Sequence, residues 1–149
     1  MYERVLVPLD GSRVAELALN QAAQLARQFG SELLLVRVVS PSETAVEGLD
    51  DEQEEIGIDV AGTSANTSTA GDYLSNLVGS LKADGLKAKA TVVQGEIADK
   101  LLETAEAANA QLIVMSTHGH GGFKRSGAGS VAVAVVSRSR IPLLVLPYR

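Results

Sequence analysis

Residues Ser116 to Ser130 read STHGHGGFKRSGAGS, with glycine as Gly119, Gly121, Gly122, Gly127 and Gly129. Glycine accepts positive φ and lets the main chain approach a ligand closely. The stretch follows the apolar run Leu112-Ile113-Val114-Met115 and precedes a second one, Val131 to Val136. A loop of this kind between a strand and a helix can turn several N–H groups toward one anion. It carries Lys124 and Arg125 and no acid. The chemistry to expect is phosphate binding, as part of a nucleotide. Ser130, where the next helix should start, could add its hydroxyl and first-turn amides to that anion. The plainer alternative is a helix cap after a flexible loop.

Asp10 is the second candidate. It closes the apolar run Val5 to Leu9 and opens a turn with Gly11. A carboxylate there could accept ribose hydroxyls or help hold a divalent metal. An ordinary Asp-Gly turn is the competing reading. His118 and His120 are two apart, but no Cys, Asp or Glu lies nearby to complete a metal site. They read as solvated loop histidines. The loop matches neither G-x-x-x-x-G-K-[ST] nor the dinucleotide fingerprint. No G-x-S-x-G elbow is present, so no catalytic triad can be assembled. The acids Asp50, Asp51, Glu52, Glu54 and Glu55 lack calcium-loop spacing and read as a solvated face.

Composition bounds these readings. A chain of 149 residues with 46% apolar content can bury one full core. There is no cysteine, which excludes disulfides and thiolate chemistry. No apolar run approaches the roughly 20 residues that span a bilayer. The start, MYERVLVPLD, does not read as a signal peptide. A soluble cytoplasmic protein is expected. The net charge of -5 is unevenly spread: between Val38 and Leu81 there are nine acids and no Lys or Arg. After Glu106 there is no acid, while Lys124, Arg125, Arg138, Arg140 and Arg149 follow. The C-terminal third is thus suited to an anion. Nucleic acid is disfavoured, because the basic residues are few and aromatics are only 3% of the chain.

These residues need elements to position them, and the chain alternates strand and helix. Strands are expected over Val5–Leu9, Leu33–Val39, Ala88–Val93, Leu112–Met115 and Ile141–Leu146. Nearly continuous apolar runs suit strands buried on both faces of a parallel sheet. Ser12 can cap a helix in which Val14, Leu17, Ala18, Ala22, Leu25, Ala26 and Phe29 recur, with Gly30 at its end. Leu74, Leu77, Val78 and Leu81 mark a second helix closed by Gly85. Ile97, Leu101, Leu102, Ala105 and Ala108 mark a third, and Val131 to Val136 favours the start of a fourth. Residues 40 to 70 are acidic, then rich in Ser, Thr, Gly and Asn, and read as a long mobile loop. A doubly wound α/β domain follows, with helices on both faces of the sheet. Ligands of such sheets sit beyond the carboxyl ends of the strands, where strand order reverses. If strands one and four are neighbours, Pro8-Leu9-Asp10-Gly11-Ser12 and the glycine loop border that crevice. The last strand, as a sheet edge, has open hydrogen-bonding groups that a second copy could pair.

VLVPLDGS, ELLLVRVV, VVQGEIADKLLETAE, IVMSTHG, GSVA and IPLLVLP, in that order, resemble the universal stress protein family over nearly the whole chain. The resemblance implies five parallel strands in the order 3-2-1-4-5 over residues 1 to 149. It also implies a homodimer through the last strand, Pro142 to Leu146. One branch of the family binds ATP through G-x-x-G, nine residues, then G-[S/T]. Here Ser116-Thr117-His118-Gly119 is followed by nine residues and Gly129-Ser130, with Ser116 in place of the first glycine. By the same resemblance Asp10 contacts ribose and backbone near Val38 meets adenine. His118 through Ser130 would hold the phosphates. Pro8, Leu9, Met115 and Val131 complete the implied nucleotide site.

The expected function is a cytoplasmic stress-response dimer that binds ATP, with Mg2+. Hydrolysis is expected to be weak at most, because no general base can be assigned. A dimeric interaction module that ignores nucleotide, and recruits a protein partner through its acidic loop, is the alternative. A true nucleotide hydrolase is a third reading that fold alone does not decide.

Overall fold

The computed structural model describes residues 1–39, 65–117 and 130–147. Among these, the elements run β1 (Arg4–Pro8), α1 (Arg13–Phe29), β2 (Glu32–Val39), α2 (Ala65–Ala83) and β3 (Lys87–Gln94). They continue with α3 (Ile97–Ala107), β4 (Leu112–Ser116), α4 (Ser130–Arg138) and β5 (Leu143–Leu146). The strands form one sheet in the order β3-β2-β1-β4-β5, and every pairing is parallel.

Alternation along the strands divides the core in two. Val5, Val7, Leu33, Leu35, Leu112 and Val114 face α1 and α2. Leu6, Leu34, Val36, Ile113 and Met115 face α3 and α4. Successive side chains of a strand point to opposite faces, so an interior parallel strand must be apolar at nearly every position. That is why β1, β2 and β4 read as continuous runs.

The local signals also act as the sequence reading expects. Ser12 caps α1, its hydroxyl accepting from the Ala15 amide at 3.2 Å. Gly30 ends the helix at φ 69, donating to the Ala26 carbonyl at 2.8 Å. Gly85, at φ 86, closes α2, where its amide donates to the Lys82 carbonyl.

Three expectations need correction. The buried face of α1 is built mainly from Ala15, Ala18, Leu19, Ala22, Ala23 and Ala26, while Leu17 and Phe29 are exposed. Small side chains let this helix lie close on the sheet. α2 begins at Ala65, inside the stretch read as loop to residue 70, because buried Ala70 and Leu74 seat its first turns on the sheet. Residues 40–64 of that stretch lie outside the described residues. β5 begins at Leu143 rather than Ile141, whose amide is taken by the Ser139 hydroxyl at 2.9 Å. Among the described residues, no helix is long and apolar enough to cross a membrane.

Candidate functional site

β1 and β4 are neighbours, with Val5 opposite Leu112 and Leu6 opposite Ile113. From β1 the chain builds outward through β2 to β3, then returns to β4 and β5 on the other side. Strand order therefore reverses between β1 and β4, and in sheets of this kind ligands sit beyond the carboxyl ends of the strands at such a point. The turn after β1 and the segment after β4 both begin there.

The turn after β1 is held from two sides. The Leu9 amide donates to the Val36 carbonyl at 2.8 Å, which ties the end of β1 to β2. Asp10, half-buried, accepts the Ser12 amide on Oδ1 at 2.9 Å. Gly11 between them has φ +88, and a Cβ there would meet nothing within 4 Å. Its glycine is needed for backbone conformation and not for space. The carboxylate of Asp10 is thus held within the turn, two residues beyond the half-buried Pro8 that ends β1.

On the β4 side, Met115 is buried and Ser116 is half-buried. The Thr117 amide donates to the Leu146 carbonyl at 2.9 Å, which ties the end of β4 to β5. Val38 and Met115 are both buried in the cluster on the α3–α4 face. Their side chains belong to the core. Ser130 is the first residue of α4, and Val131 packs on the same cluster. The structure thus gathers Pro8, Leu9, Asp10, Met115 and Ser116 at adjoining strand ends, and places Val38 on β2, two residues beyond the register partner of Pro8. His118, Gly119 and Gly129, with the rest of the glycine loop, lie outside the described residues.

A polar group that the sequence reading did not single out lies near Asp10. The Tyr73 hydroxyl of α2 donates to Glu16 Oε2 of α1 at 2.5 Å. Burial first, and then the hydrogen bond to Glu16, push the Tyr73 phenol far above its ordinary range. The charges of Glu16 and Asp10 add to the rise, and Arg37 opposes it. Glu16, Asp10 and Arg37 are therefore each within electrostatic reach of Tyr73. The available signal was Arg37, a lone charge in the apolar run of β2. Among the described residues, no group of three or more His, Asp or Glu could hold a metal ion. Arg138, counted above among the cations of the C-terminal third, is ion-paired with Asp99 at 2.5 Å.

A parallel sheet in the order β3-β2-β1-β4-β5 with helices on both faces defines a doubly wound α/β class of fold. The chain matches the model of the universal stress protein family over residues 1–147, and it belongs to that family. It is 28% identical to universal stress protein MJ0577 of Methanocaldococcus jannaschii, covering 98% of this chain and 95% of that one. It is 31% identical to universal stress protein Sll1654 of Synechocystis, covering 99% of this chain and 87% of the other. The solved structure of MJ0577 superposes with a TM-score of 0.84 and covers 100% of this chain and 98% of its own. Two further structures share the fold. One is a universal stress protein in complex with cAMP, at 24% identity and a TM-score of 0.69, covering 97% of each chain. The other is the Archaeoglobus fulgidus protein in complex with dAMP, at 21% identity and a TM-score of 0.67, again covering 97% of each.

Proposed function

We propose that this protein is a cytoplasmic stress-response protein that binds ATP at the β1–β4 crevice and acts as a homodimer. The observation that carries the reading is the placement of Asp10. It stands at the end of β1, its turn tied to β2 through Leu9, beside the point where β4 ends at Ser116. There it can accept ribose hydroxyls while the segment from His118 to Ser130 supplies main-chain amides to the phosphates. Ser130 opens α4, whose first-turn N–H groups favour an anion. The complexes of related folds with cAMP and dAMP support an adenine nucleotide as the ligand class.

Mg2+ would arrive with the nucleotide, held chiefly by its phosphates, since the described residues offer no carboxylate cluster. Without an assigned general base, the nucleotide acts as a ligand that shifts conformational populations. β5 lies at the sheet edge and supports pairing between two copies. The amides of Ile113 and Thr117 donate to the carbonyls of Pro142 and Leu146. The intervening residues Leu143 and Val145 turn their own groups outward, open to a second β5.

Mass spectrometry of the small molecules released when the freshly purified protein is denatured tests the reading. Adenine nucleotide in near-stoichiometric amount is expected. Release of a different ligand class at that stoichiometry would refute it.

A further inference from the structure

We propose that Tyr73 is a positioning residue for this site: through Glu16 it braces the first turn of α1, and thereby the Asp10–Ser12 turn that meets the ligand. The inference rests on the nucleotide reading above and adds to it a residue on a different helix.

Three hydrogen bonds connect Tyr73 to Asp10. The Tyr73 hydroxyl donates to Glu16 Oε2 at 2.5 Å. The Glu16 amide donates to the Ser12 carbonyl at 3.3 Å. The Ser12 amide donates to Asp10 Oδ1 at 2.9 Å. The middle link is long, and so is the Ser12 cap to Ala15 at 3.2 Å. Both are at the outer end of the usual range, so the first turn of α1 is weakly held by its own bonds. Gly11, at φ +88, is a glycine-type backbone position within this turn and adds no side-chain contact to hold it. A brace from outside the helix therefore matters here more than it would in mid-helix.

Tyr73 is suited to that role. Its neighbour Leu74 is fully buried against the α1–α2 face of the sheet, which fixes this turn of α2. The bond to Glu16 joins a neutral donor to a charged acceptor and is of the stronger kind. A tyrosine contributing only to stability would leave the ligand affinity of the folded protein unchanged. Loss of a positioning tyrosine lowers that affinity, because the Asp10–Ser12 turn is no longer braced.

The test is a double-mutant cycle read by titration calorimetry with MgATP, on full-length protein whose folding is checked by circular dichroism. Tyr73→Phe should weaken binding about tenfold, the scale of one hydrogen bond to a charged group. In an Asp10→Ala background the same change should have no further effect. Glu16→Gln, which keeps an acceptor for the hydroxyl, should retain more affinity than Glu16→Ala. In the free protein, Tyr73→Phe should speed hydrogen exchange of the Ser12 and Ala15 amides. Equal affinity of Tyr73→Phe and wild type overturns the positioning role while leaving the nucleotide reading intact, as does full additivity in the cycle. Absence of MgATP binding by the wild type overturns both.

Discussion

Leu6 of β1 and Ile113 of β4 are register partners, and both side chains are wholly buried on the α3–α4 face. Their pairing joins the two halves of the sheet at the point where strand order reverses. Leu6→Ala should therefore cost about 2–5 kcal/mol, as lost transfer energy plus an unfilled cavity. Urea denaturation followed by circular dichroism measures it. A loss below about 1 kcal/mol would mean that the core repacks freely at this seam.

Gly95 joins β3 to α3 at φ +146, and a Cβ there would lie 2.7 Å from Cε of Lys100. Gly95→Ala should destabilise by about 1–3 kcal/mol through backbone strain. The double variant with Lys100→Ala relieves the contact and leaves the strain, so thermal melts should show only partial recovery.

The outward-facing amide of Val145 gives a specific test of the proposed dimer. Proline there removes that donor without deleting a β4–β5 bond. Sedimentation velocity should show a dimer for the wild type and a monomer for Val145→Pro. A wild-type monomer at tens of micromolar would contradict pairing through β5.

The Tyr73 phenol holds its proton more tightly in the folded protein than in the unfolded chain. Tyrosine ordinarily titrates near about pH 10. Its contribution is therefore complete below that value and declines as pH rises above it. Unfolding free energies measured from about pH 9 to 11 should fall more steeply for wild type than for Tyr73→Phe. Parallel curves would refute the tight hold on this proton.

Much of this was legible in the chain, for physical reasons. Strands β1, β2 and β4 are buried on both faces, so runs such as Leu33 to Val39 have few other structures open to them. Ser12, Gly30 and Gly85 are local signals whose effect does not depend on distant contacts. The start of α2 was not legible. Ala65 to Ala70 reads ANTSTA, short on strong helix formers, and the burial of Ala70 and Leu74 outweighs that propensity. On α1 the helical spacing picks out Ala18, Ala22 and Ala26, which are buried, but also Leu17 and Phe29, which are exposed, and it leaves out Ala15, Leu19 and Ala23.

The candidate site divides the same way. Asp10 and Ser116 could be placed because one follows β1 by two residues and the other ends β4, and the neighbours of both strands follow from the topology. The bond from Tyr73 to Glu16 could not, since the two are 57 residues apart and each alone reads as a polar residue on a helix surface. Only the packing of α2 beside α1 brings them together.

Titration calorimetry of MgATP into the purified wild-type protein tests adenine-nucleotide binding most directly. Saturable binding of one nucleotide per chain is expected, lost in Gly119→Val, where a side chain would block approach of the main chain to phosphate. No heat of binding at millimolar MgATP, or wild-type affinity in Gly119→Val, would contradict it.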